Sequence, residues 1–580
     1  MADFDESSDR PESVDWPESF DWPESFDWIV VGSGAGSFAS ALVMREAGYS
    51  VLILEKTGFA GGTTAKSGGV MWIPANPFML ADGEDDSIEK AEAYLDALQE
   101  LDGGTAPGTS KAKRRAYLEN GPRAVQFLLE QGIKLRRGHD FWPDYYDELP
   151  GGCKTSRTVV AEPFNLKELG PMRKRLRKGF AEFNILLSDA SKLGHIRTNP
   201  DAKKMLLRIA LRTVRDRLLG RRFTTAGAAL QGRMFKAALA AGIDIRFDSA
   251  VTELVQHEGR VTGVTVEGAQ GSGRIGARRG VLVNAGGFAK DQAMRDRYMP
   301  GTRAEWSQVP EGDTGDLHRE MARIGAQMAQ MDQMVGYQAT IAPGTEGNYV
   351  LPGAQSLTGK PHAILVDQSG VRFMNEGGSY ELYCETMLRR NRTVPAVPSW
   401  AILDRQYVEK YKVADKFIDK KIPDGWVEAG YLHMGDSIEG LADSIGIDPK
   451  ALAATVERWN GFVRAGKDAD FARGERAYDG CAFVGDPYSD EPSRGTIEKG
   501  PFYAVPVIPG DVSTYGGAVT DEKARVLRAD GSVIGGLYAT GTSTASVMGN
   551  VYAGAGASIG PSLTFGYIAA RHAAGLDNSA

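Results

Sequence analysis

An α/β fold built on a parallel sheet is predicted by three features of this 580-residue sequence. Residues 28–55 run as apolar strand, Gly-rich turn, helix, apolar strand and acid. A second Gly/Ser/Thr-rich loop follows at 61–69. Strand-like segments recur far downstream, at 243–255, 261–266, 279–287 and 535–541, so the sheet is assembled from separated parts of the chain.

The first unit opens with WIVV (28–31) and continues through Gly32, Ser33, Gly34, Ala35, Gly36 and Ser37 into a stretch of helical composition. A second apolar run, YSVLIL (49–54), ends at Glu55 and Lys56. Strand, glycine turn, helix, strand and acid together bind a dinucleotide. Gly32 and Gly34 allow close backbone approach to a pyrophosphate, and the helix N-terminus adds its amides and the positive end of its dipole. Glu55, 23 residues after Gly32, is placed to accept from ribose hydroxyls. Ser37 stands where the pattern has its third glycine and is small enough for helix–strand packing.

The 61–69 loop (GGTTAKSGG) favours FAD over NAD. Its Gly62, Thr63, Thr64, Ser67, Gly68 and Gly69 are expected along the flavin and its phosphates. The downstream segments add Val251, Ala285, Gly286 and Gly541, and the start of a helix near Ser558 adds Ala557, Ser558 and Ile559. A cofactor domain made from separated segments leaves the middle of the chain free as an inserted substrate domain. The expected organisation is a tail over 1–27 and a Rossmann-like FAD-binding domain over 28–295, with a basic helical insertion at about 155–225. An α+β substrate domain over 296–499 follows, and 500–575 completes the FAD domain. Within the insert, 432–466 reads as paired helices.

Composition narrows the function classes. Apolar residues are 42% and charged residues 24%, an ordinary globular balance that excludes a disordered, collagenous or coiled-coil chain. Gly contributes 71 residues, well above the usual ~7%, as expected where backbone packs closely around a large cofactor. A net charge of −8 argues against nucleic-acid binding. Cys153, Cys384 and Cys481 are far apart, so neither a disulfide framework nor a metal site is expected, and a reducing cytoplasm fits. The longest apolar runs fall short of the ~18 residues of a membrane span. Residues 11–28 repeat PESVDW-PESFDW-PESFDW without a basic n-region or an apolar core, so they are not a secretory signal. They read as a disordered or loosely docked tail, or as one whose Trp16, Phe20 and Trp22 dock on the body.

Four motifs carry a resemblance: GGTTAKSGGVMWIP (61–74), WPDYY (142–146), RFMNEGGSY (372–380) and SVMGNVYAGAGASIGPSLTFGYIAA (546–570). Over about 28–575 the chain resembles the FAD-dependent succinate dehydrogenase/fumarate reductase flavoproteins and, among them, the 3-ketosteroid Δ1-dehydrogenases. The resemblance implies that Tyr552 and the Gly556 N–H bind the C3 carbonyl, that Tyr380 takes the C2 proton, and that Tyr145 assists it, with adjacent Tyr146 as the alternative. It implies hydride transfer from C1 to FAD, a 3-ketosteroid substrate in steroid catabolism, and an electron acceptor such as a quinone. It also implies non-covalent FAD, because 61–69 lacks the His that covalent members carry. Ser37, and Ala553 where the family often has Pro, depart from the pattern.

Three competing functions remain at this level: a Δ4-(5α)-dehydrogenase, a fumarate-reductase-like enzyme, and a flavin-binding protein without catalysis. Dicarboxylate chemistry needs arginines. Fumarate reductases place one four positions after the Asn–Glu pair; here, after Asn375–Glu376, that position is Tyr380. Residues 201–219 form a helix whose Leu206, Ile209, Ala210, Val214 and Leu218 make an apolar stripe among basic residues. It reads either as a helix docked on the FAD domain or as a peripheral membrane contact through which sterol enters.

Overall fold

The computed structural model describes residues 23–101, 103–104, 106–138, 142–179, 181–186, 189, 192–268, 271–346 and 355–576. Most of the hexapeptide tail, with Trp16, Phe20 and Trp22, lies outside the described residues.

Two main sheets organise the chain. The first has eight strands, centred on β1 (Ser25–Val31), helix α1 (Ala35–Glu46) and β2 (Val51–Leu54). β1 and β2 are parallel, with Trp28 opposite Val51. Gly271–Val283 and then Val533–Ala539 extend the parallel sheet beyond β1, and Asp244–Arg246 extends it beyond β2. These strands are continuously apolar because layers cover both faces; residues 28–31 and 51–54 are all buried. Ser249–His257, Arg260–Gly268 and Arg525–Leu527 add antiparallel strands.

β1 begins earlier than the sequence suggests. The third hexapeptide copy runs into the strand, so Ser25–Asp27 is sheet and not tail. Asp27 accepts from the Ser50 N–H and hydroxyl and from Arg278 Nε, and Glu24 pairs with Arg246. The Trp28 indole donates to Ser40 Oγ at 2.8 Å. Alternating Phe26 and Trp28 fit a strand as well as they fit a repeat.

The replaced third glycine has a local explanation. α1 crosses the C-terminal helix Ile559–Ala574 so closely that a Cβ on Gly36 would overlap the Ser562 carbonyl, and one on Gly566 would overlap the Gly36 carbonyl. Gly36 thus provides the close approach, while the Ser37 hydroxyl accepts from Asn284 Nδ2 at 3.0 Å.

The second sheet has five antiparallel strands. Met334–Ala339, Phe502–Thr514, Ser399–Leu403 and Ala363–Val366 run in that order, and His433–Gly435 also pairs with Phe502–Thr514. This corrects the expected return to the first sheet at residue 500. Phe502–Thr514 pairs within the second sheet, and the chain rejoins the first at Arg525. Its apolar, β-branched pattern suits either sheet, so the local sequence does not reveal the choice. Helices Ile438–Ser444 and Pro449–Ala465 bury Leu441, Leu452, Val456 and Trp459 against this sheet.

The basic segment is only partly helical. Thr158–Ala161 pairs with Met71–Trp72 and Leu135–Arg137, and Phe164–Asn165 pairs with Phe223–Thr224 to close its base. Helix Ala202–Leu218 lies between. It turns Met205 and Asp216 inward, leaves Ile209 half-buried, and exposes Leu206, Ala210, Val214 and Leu218. The apolar stripe therefore does not dock on the body. Among the described residues no helix is long and apolar enough to cross a membrane.

Candidate active site

A cavity of about 530 Å³ runs from the β1–α1 turn to a group of tyrosines between the two sheets. Gly32, Ser33, Gly34, Glu55, Lys56, Gly62, Thr63, Thr64, Ser67, Gly68 and Gly69 line its first half. Val251, Ala285, Gly286, Gly541, Ser558 and Ile559 join them from the downstream segments. Ala35, Gly36, Ser37 and Ala557 are not on this wall. The first three sit in the first turn of α1, packed on neighbouring elements, and Ala557 lines a separate small cleft beside Lys113 and Tyr515.

The wall fits a dinucleotide. Gly32 has φ of 93°, and any Cβ there would overlap the Asn284 carbonyl. No side chain caps the α1 N-terminus, which leaves its first amides open to an anion. Glu55 is oriented by the Thr57 N–H at 2.9 Å and hydroxyl at 2.8 Å, and by the Ser33 hydroxyl at 2.5 Å. Ser33 in turn accepts from the Gly61 N–H at 2.9 Å, tying the two glycine loops together. With FAD bound, Glu55 would hold the ribose, the α1 N-terminus the pyrophosphate, and the 62–69 loop with Gly286 and Gly541 the flavin side.

Tyr145, Tyr380 and Tyr552 meet at the other end. Ring centroids are 5.3 Å apart for Tyr145–Tyr380, 5.6 Å for Tyr380–Tyr552 and 5.9 Å for Tyr145–Tyr552. Tyr380 lies between the other two rings, so its phenol faces both neighbours in the buried cluster. Burial pushes the Tyr380 phenol well above its ordinary value; the Tyr552 charge adds to this, and the hydrogen bond from Tyr145 opposes it. Burial also raises Tyr552, against hydrogen bonds from Ser558, Tyr380 and the Gly556 N–H. The Tyr552 and Ser558 hydroxyls are 3.0 Å apart. Gly556 adopts φ of 89° against Val70, and its carbonyl accepts from the Trp72 N–H at 3.2 Å. The N–H of Gly556 thus lies beside the Tyr552 phenol on the cavity wall.

Buried ion networks hold these tyrosines. The Tyr145 N–H donates to the Ala553 carbonyl at 3.1 Å, which also accepts from the Tyr94 hydroxyl at 2.7 Å. Neighbouring Asp144 accepts from the Trp72 indole at 2.7 Å and Arg157 at 2.6 Å, and Arg157 also binds Asp86 at 2.6 Å. Burial pushes Asp144 up to about 6 despite Arg157. Tyr380 opens helix Tyr380–Arg390 just after a loop fixed by Glu376, which Arg372 binds at 2.8 Å and Arg473 at 3.2 Å. Most of the RFMNEGGSY motif therefore positions its last residue. Tyr146 points away, under Arg476 and near Glu381, so Tyr145 is the member of the pair in the cluster.

Sequence reasoning missed several wall residues. Tyr337, Phe483 and Val512 line the tyrosine end, Asp313 and His318 line the cofactor side, and Tyr478, off the wall, packs tilted against the Tyr145 ring at 4.3 Å. Asp313 stands against Gly286 and Gly287, and burial pushes it up to about 7; burial pulls His318 down to about 4. The acid-rich GDTGD run was the available signal for Asp313. An isolated aromatic such as Tyr478 carries none.

Comparison with known proteins agrees with this geometry. A family profile described as "FAD binding domain" matches residues 27–559. A 3-oxosteroid 1-dehydrogenase of Mycolicibacterium smegmatis is 34% identical over 93% of this chain and 96% of its own. A 4-oxocyclohexanecarboxylate 2-dehydrogenase of Sinomonas cyclohexanicum is 33% identical over 95% of this chain and 94% of its own. A solved 3-ketosteroid Δ1-dehydrogenase of Sterolibacterium denitrificans, in complex with 1,4-androstadiene-3,17-dione, superposes with a TM-score of 0.87 at 32% identity, covering 95% of this chain and 99% of that one. The fold and site are those of an FAD-dependent flavoprotein oxidoreductase. Within that class the chain belongs to the family that includes the 3-oxosteroid 1-dehydrogenases.

Proposed function

We propose that the chain catalyses 1,2-dehydrogenation of 3-ketosteroids, and the observation that carries this is the convergence of Tyr145, Tyr380, Tyr552 and the Gly556 N–H at one end of the FAD cavity. FAD, when bound, supplies the acceptor for the hydride that leaves C1. Tyr552 and Gly556 donate to the C3 carbonyl oxygen and stabilise the charge that develops there as C2 loses its proton. That proton goes to Tyr380, and the electron pair it leaves forms the C1–C2 double bond.

A neutral phenol can take a proton only as it releases its own. Tyr145, packed beside Tyr380, stabilises its phenolate, and the contiguous phenols Tyr145, Tyr380 and Tyr552, the last bonded to Ser558, offer the path. The tyrosine end is otherwise walled by Trp142, Val335, Phe483, Val512 and Ala555, which suits a steroid skeleton. A substrate carboxylate would need a cation there. The wall cations are Lys56, Lys66 and Arg177, and of these Lys56 and Arg177 lie on the cofactor side, bonded to Thr314 with Asp316 and to Thr57.

The reading includes reoxidation by an external acceptor, a quinone or another, and a cytoplasmic protein that touches the membrane through residues 201–219. The test is the position of the new double bond. Incubation of the flavin-loaded protein with 5α-androstane-3,17-dione and a dye acceptor should give the 1-ene product. A 4-ene product would instead assign Δ4-(5α)-dehydrogenation, and no product would remove the steroid reading.

A further inference from the structure

We propose that the carboxyl group of Asp313, in its acid form, donates a hydrogen bond to an oxygen in the diphosphate–ribityl stretch of bound FAD, which ties cofactor retention to one proton. This rests on FAD filling the cavity and is independent of the steroid chemistry. Asp313 is 5% exposed and lines the cofactor side of the cavity. Neither of its carboxyl oxygens has a hydrogen-bond partner among the described residues. An unpaired polar group in a buried wall is costly, so the occupant of the cavity is what completes it. The Asp313 backbone is fixed: its N–H donates to the Pro310 carbonyl at 3.1 Å, and its carbonyl accepts from the Lys290 N–H at 2.9 Å. On the carboxyl side, Gly286 adopts φ of 82°, and a Cβ there would stand 2.7 Å from Asp313 Oδ1. The same 284–287 turn abuts the first glycine turn. A Cβ on Gly32 would overlap the Asn284 carbonyl, and one on Gly34 would stand 3.0 Å from Asn284 Nδ2. Asp313 therefore stands beside the part of the cavity where the α1 N-terminus would receive the diphosphate.

The surroundings select the acid form. Lys56 and Lys290 act on Asp313 from a distance, and each is engaged elsewhere. Lys56 is bonded to Thr314 at 2.7 Å and Asp316 at 2.6 Å. Lys290 is bonded to the Ser307 carbonyl at 2.9 Å and pairs with Glu311 at 3.4 Å. From strand Phe502–Thr514, Asp511 adds a like charge, itself held by Arg295 at 2.7 Å and the Ser307 hydroxyl at 2.5 Å. The Gly287 N–H lies close but outside hydrogen-bond geometry. In helix Asp316–Arg323, the His318 ring lies 3.1 Å from the Gly516 carbonyl, and burial keeps it neutral above about pH 4. Burial is the largest influence on Asp313 and pushes it up to about 7; the negative charges of a diphosphate alongside would raise it further. A carboxylate here would set an anion against the diphosphate, whereas the acid sets an O–H donor against it.

The full flavin-loaded chain is diluted in series between pH 6 and pH 9, and FAD release is read from flavin fluorescence, which gives Kd without turnover. The parent should hold FAD with a constant Kd up to about pH 7 and then lose affinity by about tenfold per pH unit, because ionised Asp313 must regain a proton before FAD binds. Asp313→Asn keeps a donor that does not ionise. Its Kd should match the parent's at pH 6, stay flat, and be at least ~10-fold tighter than the parent's at pH 9. Asp313→Ala should also be flat, but bind about 3–10-fold more weakly than Asp313→Asn for want of one hydrogen bond. Lys66 is on the same wall and is pulled down to about 8 by burial and by Lys290 and Arg177. Lys66→Arg, which stays charged across the range, should therefore keep the parental slope. A parental Kd that is flat to pH 9, a slope that survives Asp313→Asn, or a slope that vanishes in Lys66→Arg overturns the proposal. Asp313→Asn binding more weakly than the parent at every pH would make the group an ionised acceptor and also overturns it, as does Asp313→Ala binding as tightly as Asp313→Asn. Failure of steroid turnover in a protein that shows this pH-linked retention would count against the catalytic reading alone.

Discussion

Replacing Tyr552 by Phe removes one oxygen and almost nothing else. The ring remains between Tyr380 at 5.6 Å and Tyr145 and Tyr515 at 5.9 Å, so its packing is retained. What is lost is the O–H that the proposed clamp, with the Gly556 N–H, presents to the substrate carbonyl, together with the bond to Ser558 at 3.0 Å. Removing one oxyanion donor costs about 10²–10³ in kcat, roughly 3–4 kcal/mol of transition-state stabilisation. The neutral ketone of the ground state gains less from the same donor, so KM should change much less. The assay is kcat per bound flavin, which separates a catalytic loss from a loss of cofactor. An unchanged kcat per flavin, with weaker FAD retention, would refute the carbonyl clamp and leave Tyr552 as a packing residue.

Other expectations follow from the same site. Tyr380→Phe should keep FAD and steroid binding, lose most turnover and abolish solvent deuterium exchange at C2; exchange at the native rate would assign another base. Because burial holds the Tyr380 phenol above its ordinary value, native kcat should still be rising with pH at pH 9, and a plateau near neutrality would contradict the assignment. Arg157→Met leaves Asp86 and Asp144 buried without their shared cation, a loss of about 3–5 kcal/mol; an unchanged denaturation midpoint would show that the network does not stabilise the fold. Asp313 keeps its proton to about pH 7 when folded but only to about 4 when unfolded. Its contribution is therefore full below pH 4 and lost as pH rises through 7, so flavin-stripped Asp313→Asn should gain up to ~4 kcal/mol over the parent at pH 8 and little at pH 4. A gain independent of pH would mean the carboxyl is not held protonated.

The sequence made the cofactor half of the site legible because its demands are on the backbone. Gly32 needs its positive φ and Glu55 its place at a strand end, and both leave marks at fixed spacing. The tyrosine end was legible only through motif resemblance, since nothing in the local sequence around Tyr145, Tyr380 or Tyr552 says that the three rings meet. Tyr337, Phe483 and Val512 reach the cavity from two strands and a turn in separate parts of the chain, with no periodic signal. Phe502–Thr514 was misplaced for a related reason: strand character is local, but the choice of sheet depends on partners more than sixty residues away. The basic helix was recognised, but its orientation was not. The periodicity marks an apolar stripe, and only the fold shows that Leu207 and Leu211 face solvent.

The most direct test of the whole account is anaerobic mixing of the flavin-loaded protein with 4-androstene-3,17-dione, beside 4-oxocyclohexanecarboxylate and succinate. The account predicts rapid bleaching of the flavin by the steroid, with one equivalent of 1,4-androstadiene-3,17-dione per flavin reduced, and little or no bleaching by the two carboxylates. Flavin that stays oxidised with the steroid, or that bleaches only with a carboxylate, would contradict it.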